Sequence, residues 1–276
     1  MVIYSRLMGM PMMKMITKTK WRQLASFFLL SATITWPAVA ATLDSFNADY
    51  IVYRAGKKHG EANRYLKQNG TEYEFGYSSA IKWLLFSDKR SETSHFTIVD
   101  NQIKPSQYVM ERSGTGPNRH YELHLDHDKL QLAVGKKRQP KPLKWQDDLL
   151  DLISYQLQLS LDLQAGKTEF SYTVLNKNGN AKVYNYKVIG EELLPLPYGN
   201  TRTLRIARVE DSANSDKQIY AWVAPDLNYM LVRLWRGEDN VEQFDVQLHT
   251  LTLEPSTAEP KTAEPTPDNT TEVTLP

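Results

Sequence analysis

From Phe46 to Leu253 apolar and polar residues mostly alternate in short runs, the period of a half-buried β-strand, and Gly, Asn, Asp and Pro separate the runs. The pattern predicts strands at 46–54, 62–67, 72–78, 92–99, 103–112, 120–126 and 130–134. It resumes at 170–174, 183–188, 201–209, 218–224, 229–235 and 242–253. Asn69-Gly70 and Asn178-Gly179 mark hairpins, because both residue types accept the left-handed backbone of a tight turn. Pro105 confines its strand to a sheet edge or to a strand start, and the proline-punctuated Leu193–Gly199 stretch reads as a crossing between strands.

One segment departs from this period. In DDLLDLISYQLQLSLDLQAG, residues 147–166, Leu149, Leu150, Ile153, Leu157, Leu161 and Gln164 recur at steps of three and four, which predicts a helix over about 147–165 with one apolar face against a sheet. Asp147 or Asp148 is the expected N-cap and Gly166 the stop. Leu157, Leu159, Leu161 and Leu163 also alternate, which leaves a strand in the second half as the other reading. The fold class expected is mainly β (α+β), a curved antiparallel sheet or incomplete β-barrel packed around one long helix. The apolar run Ile81–Phe86 fits neither period; it reads as a core-filling strand or short helical turn, or as a hydrophobic lip over a cavity.

Residues 1–40 carry Arg6, Lys14, Lys18, Lys20 and Arg22 and no acid, then the apolar LASFFLL run, then Ala38, Val39 and Ala40 before Ala41. That is the pattern of a secretory signal peptide cleaved between Ala40 and Ala41, with an apolar stretch too short to span a bilayer stably. Taking five of the 33 basic residues away leaves 28 against 32 acids, so the remaining chain is mildly acidic, at about −4. Nucleic acid, which calls for a basic stripe, is a poor partner for such a chain. No cysteine occurs, which removes an acyl anchor on cysteine, a disulfide framework and a thiolate nucleophile. The compartment expected is the periplasm. Residues 41–254 suit one β-rich domain, and residues 255–276, with their repeated Thr-Ala-Glu-Pro, have the composition of a disordered tail.

Candidate chemistry is sparse. His120, Glu122, His124 and Asp126 share one face of a strand, and such a spacing suits a metal, with His120, Glu122 and His124 as the candidate ligands. An ordinary polar strand face is the preferred reading of them, since an amphipathic strand has to put something polar in water and no H-E-x-x-H motif accompanies them, so no metal is expected. No G-x-S-x-G elbow, cysteine or paired acid motif points to an enzyme. No cofactor is expected.

Four stretches carry a resemblance: YIVYRAGKKHGEANRYL, IKPSQYVMERSG, the 147–166 segment, and IYAWVAPDLNYMLVRLW. Their order over about residues 45–252 resembles bacterial domain-of-unknown-function family 3108, a family of exported envelope proteins with no settled activity to transfer. More distantly, the chain looks like the lipoprotein-carrier half-barrels of the bacterial periplasm, which implies an incomplete barrel holding an acyl chain. The function expected is therefore a non-enzymatic binding or carrier module for an acyl chain or hydrophobic peptide, with Trp83, Leu84, Phe86, Leu157 and Trp222 as ligand-facing candidates. The alternative is an envelope scaffold without a cavity, acting through a protein partner.

Overall fold

The computed structural model describes residues 43–84, 86–209, 217–239 and 241–254. The signal segment with its Ala40/Ala41 junction, the tail from 255, Leu85 and the Trp83 side chain lie outside the described residues. The first half of the sheet is a meander of β1 (Phe46–Arg54), β2 (Lys57–Asn69), β3 (Glu72–Trp83), β4 (Phe86–Val99), β5 (Gln102–Gly114), β6 (Arg119–Asp126), β7 (Gln131–Val134) and β8 (Gln139–Lys141). A short strand β9 (Leu149–Leu150) leads into α1 (Ser154–Gln164). Then follow β10 (Glu169–Leu175), β11 (Ala181–Leu196), β12 (Gly199–Val209), β13 (Lys217–Ala224), β14 (Met230–Glu238) and β15 (Val241–Leu253).

These strands form one sheet in the order β8-β7-β6-β5-β4-β3-β2-β1-β15-β14-β13-β12-β11-β10-β9. Every pairing is antiparallel except β9 with β10. The first and last strands of the described residues therefore meet in the middle, where β1 pairs with β15 through Phe46↔Leu253 and Val52↔Val246. Register shifts at Asp49/Tyr50, Val52/Tyr53, Trp222/Val223 and Arg236/Gly237 bend this central part, as an extra residue in one strand of a pair does. The sheet does not close. β9 returns against β5 without a ladder, and the turn after β10 meets the flaring β6–β7 end: the Lys177 ammonium lies 4.8 Å from the Tyr121 ring centroid, and Gly179 faces Leu132 and Val134.

The expected long helix is a short one of 11 residues. Its N-cap is Ile153, not Asp147 or Asp148, because Leu149 and Leu150 are drawn into a parallel pair with β10 and the chain turns only after them. The capping carboxylate is Asp151, whose Oδ1 accepts from the Ile153 and Ser154 amides at 2.9 and 2.8 Å, while Ser154 Oγ accepts from the Asp151 amide at 2.9 Å. At the other end Gly166, at φ +81°, lets its own N–H reach Leu163 O and that of Lys167 reach Asp162 O. Eight helical residues are buried, including Leu157, Leu159, Leu161 and Leu163. The single apolar face expected is thus replaced by burial nearly all round, which also explains why the leucines carry a strand-like period inside a helix.

Buried polar groups on such a helix need partners. Gln158 accepts from the Ile103 amide at 2.8 Å and donates to Asn101 O at 3.0 Å, Ser160 donates to Tyr229 O at 3.0 Å, and Asp162 accepts from Tyr172 at 2.8 Å. These bonds tie α1 to three separate parts of the sheet. Among the described residues no helix is long and apolar enough to cross a membrane.

Two proline expectations change with the pairing. Pro105 lies in β5, an interior strand, but β6 pairs with β5 only from Gln107, so no ladder on that side needs its missing N–H. Leu193–Leu196 belongs to β11 and pairs with β12 alone, which accommodates Pro195 for the same reason.

Candidate functional site between the helix and the sheet

A cavity of about 270 Å³ lies between α1 and the inner face of β1, β2 and β11–β15. Strand alternation aims Ile206, Ala221, Val223, Met230 and Leu234 into it, and the helix contributes Leu157 and Leu159. The wall is mostly apolar, and its size falls just below the roughly 300–1,000 Å³ of common small-molecule sites. That volume suits one acyl chain or one large side chain rather than a two-chain lipid.

Polar groups gather near the first turn of α1. Arg64 on β2 shares its face with Ala62 and Leu66 and is only 5% exposed. Its Nη2 donates to Gln156 Oε1 at 3.0 Å, and its guanidinium lies 5.0 Å from the Phe75 ring centroid. Tyr155 stacks on Tyr186 with centroids 5.8 Å apart, and burial raises the pKa of both phenols. Arg208 lies 4.2 Å from the Tyr184 ring centroid and also lines the cavity. Near the β13–β14 turn the lining instead includes Asp44, Asp226 and Asn228. Both acids there have partners, since Asp226 accepts from Arg202 at 2.7 Å and Asp44 from Asn228 at 2.5 Å.

A second hollow, about 970 Å³, is a trough across the outer face of β1–β6, lined by Asp49, Asn63, Ser91, Glu111 and His120 among others. Its lining mixes Ile51, Ala62 and Ala80 with many polar and charged side chains and it is more open, so the smaller, more enclosed and more apolar inner cavity is the better site for an apolar ligand.

Leu157 lines the inner cavity. Leu84 and Phe86 do not: they sit at the β3–β4 hairpin, where Trp83 pairs with Phe86 and Leu84, at φ +53°, is 91% exposed. Within the Ile81–Phe86 run, Ile81 packs against the core while Leu84 and Phe86 are exposed at a tight turn that has neither Asn nor Gly. Trp222 is buried elsewhere, its Nε1 donating to Glu192 Oε1 at 2.6 Å under the Arg233 guanidinium. Sequence reasoning missed Arg64, Tyr155 and Arg208. The signal for Arg64 was its place on the apolar parity of β2.

His120, Glu122 and His124 share a strand face as the alternation predicts. Glu122 sits between the imidazoles, with Oε2 3.4 Å from His120 Nε2 and Oε1 2.9 Å from His124 Nε2, the latter off the direction of a hydrogen bond. Glu111 takes the other His120 nitrogen at 3.1 Å. Among the described residues no three His, Asp or Glu side chains are arranged to hold a metal ion. Burial and Arg138 hold the His124 imidazole below its usual pKa, partly offset by Glu122. Its folded pKa is thus below its unfolded one, so this contribution to stability is present above the ordinary histidine range and lost as pH falls through the folded pKa. His124→Gln is expected to flatten the fall in Tm between about pH 7 and 5, measured by thermal unfolding beside the parent protein.

The sequence profile described as "Protein of unknown function (DUF3108)" matches residues 46–246. No curated protein matches the chain. Among solved structures, a β-barrel-like protein of the DUF1849 domain of unknown function from Brucella abortus aligns at TM-score 0.56 and 10% identity, covering 78% of this chain and 100% of that one. A DUF1089 family protein from Pseudomonas aeruginosa aligns at TM-score 0.36 and 10% identity, over 72% of this chain and 93% of the other. The first likeness supports the barrel-like fold and nothing finer.

Proposed function

The chain belongs to the DUF3108 family, and from the interior of its half-barrel we propose that it is a non-enzymatic periplasmic binding or carrier protein that takes one apolar chain between α1 and the sheet. The observation that carries this reading is the apolar cavity of about 270 Å³ beside a helix whose own polar groups are bonded to the surrounding sheet. A fixed helix keeps the space open, because the sheet cannot collapse onto it without breaking those bonds. Each buried methylene contributes about 0.8 kcal/mol, so affinity rises with chain length until the cavity is filled. Export rests on the basic, apolar and Ala-x-Ala succession of residues 1–40.

The test is native mass spectrometry of residues 41–276 taken from a periplasmic extract, with solvent extraction of whatever travels with the protein. A defined single-chain lipid mass supports the carrier. A clean unliganded mass that takes up no added fatty acid leaves the envelope scaffold as the account.

A further inference from the structure

Arg64 presents a problem that the apolar cavity does not solve. Its guanidinium is buried, and the partners it has are neutral: the Gln156 amide oxygen, the Tyr50 hydroxyl and the Phe75 ring. Tyr50 gives its own proton to Leu231 O at 2.7 Å and so carries no charge to the pair. The buried carboxylates on the same side of the barrel are engaged elsewhere. Glu92 accepts from Tyr108 at 2.6 Å and lies 3.8 Å from Arg90, while Asp151 accepts from Ser94 and caps α1. A buried cation without an anionic partner costs several kcal/mol, and arginine cannot shed its proton to escape that cost.

Arg64 lines the cavity, together with Tyr155, Tyr186, Arg208 and Gln156, the residue its guanidinium is bonded to. Tyr155 lies within electrostatic reach of both Arg64 and Arg208, so the two cations converge on the first turn of the helix. Arg236 lines the cavity as well, its Nε buried without an acceptor, although its Nη2 is already paired with Glu238 at 2.8 Å. The carboxylates of the lining that have been placed, Asp44 and Asp226, are near the β13–β14 turn.

We infer that the ligand of this cavity is a single-chain amphiphile with a compact anionic head, a carboxylate or a phosphate monoester, whose head binds Arg64 while its tail lies along Leu157, Ala221 and Met230. This rests on the carrier reading above and adds the chemistry of the head. The guanidinium fork is matched to a planar or tetrahedral oxyanion, and a hydrogen bond to a charged group is worth about twice a neutral one. The anion supplies the missing countercharge, and Tyr155 stands beside it as a donor.

The experiment is displacement of a neutral apolar fluorophore from the full chain by hexadecanoate, hexadecyl phosphate and hexadecanol, with the protein intact and with Arg64→Met. For the parent protein the two acids are expected to bind at least about tenfold more tightly than the alcohol of the same length. Which acid binds better tells the carboxylate from the phosphate. In Arg64→Met, which keeps the length of the side chain and loses its charge, the preference disappears while the alcohol binds as before. Equal binding of acids and alcohol by the parent protein overturns the inference and leaves the apolar carrier standing, and this comparison holds even if the variant fails to fold. An unchanged preference in folded Arg64→Met also overturns it. Binding of none of the three overturns the carrier reading itself.

Discussion

Asp151→Ala is expected to destabilise the protein by about 3–5 kcal/mol, the largest effect of any single polar substitution proposed for this chain. The carboxylate is fully buried and holds three donors at once: Ser94 Oγ at 2.5 Å and the Ile153 and Ser154 amides at 2.9 and 2.8 Å. Alanine strands all three in an apolar interior and unties the start of α1 from β4. For a domain of this size the loss appears as a fall in Tm of roughly 10 °C. Asp151→Asn keeps an acceptor for the amides and should lose clearly less. Burial raises the Asp151 pKa, although the hydrogen bonds oppose this. A folded pKa above the unfolded one gives stability that is full below the ordinary carboxylate range and declines as pH rises through the folded value. The Asn variant should lack that decline. Thermal unfolding of both variants across pH decides the matter, and an Ala variant as stable as the parent would show that the helix start is held by packing alone.

The second large effect is on uptake. Ala221→Phe places a ring from the middle of β13 into the cavity and is expected to abolish binding of a fluorescent fatty acid while leaving Tm close to the parent's. Empty space accepts the added atoms. A core packed to ordinary density at that point would instead be overfilled, at a cost of about 1–3 kcal/mol. A lowered Tm with uptake intact would move the ligand to another part of the molecule.

Much of the architecture was legible along the chain, because period and turn chemistry act locally. Asn69-Gly70 and Asn178-Gly179 do close hairpins, with Gly70 at φ +61° and Gly179 at φ +75°. The curved sheet, barrel-like but unclosed, follows from the same alternation and the bulges within it. What escaped was set by distant partners. Leu149 and Leu150 have a helical spacing, yet β10 lies ready to pair with them, so the helix starts later and takes Asp151 as its cap. The helix is buried on most sides only because the sheet curls round it, which no local pattern encodes. Of the residues expected to face a ligand, Leu157 reaches the cavity, whereas Leu84 is exposed on a hairpin without turn-forming residues. Arg64 could have been noticed from its apolar parity between Ala62 and Leu66. That it lines one cavity with Tyr155 and Arg208 depends on β2, α1 and β12 coming together across the fold.

The most direct test of the central claim is a titration of the purified chain with a fluorescent fatty acid. The half-barrel account predicts saturable uptake of one molecule per chain, with affinity that rises with chain length and then levels off as about 270 Å³ is filled. Uptake that never saturates, or none at any chain length, would contradict it.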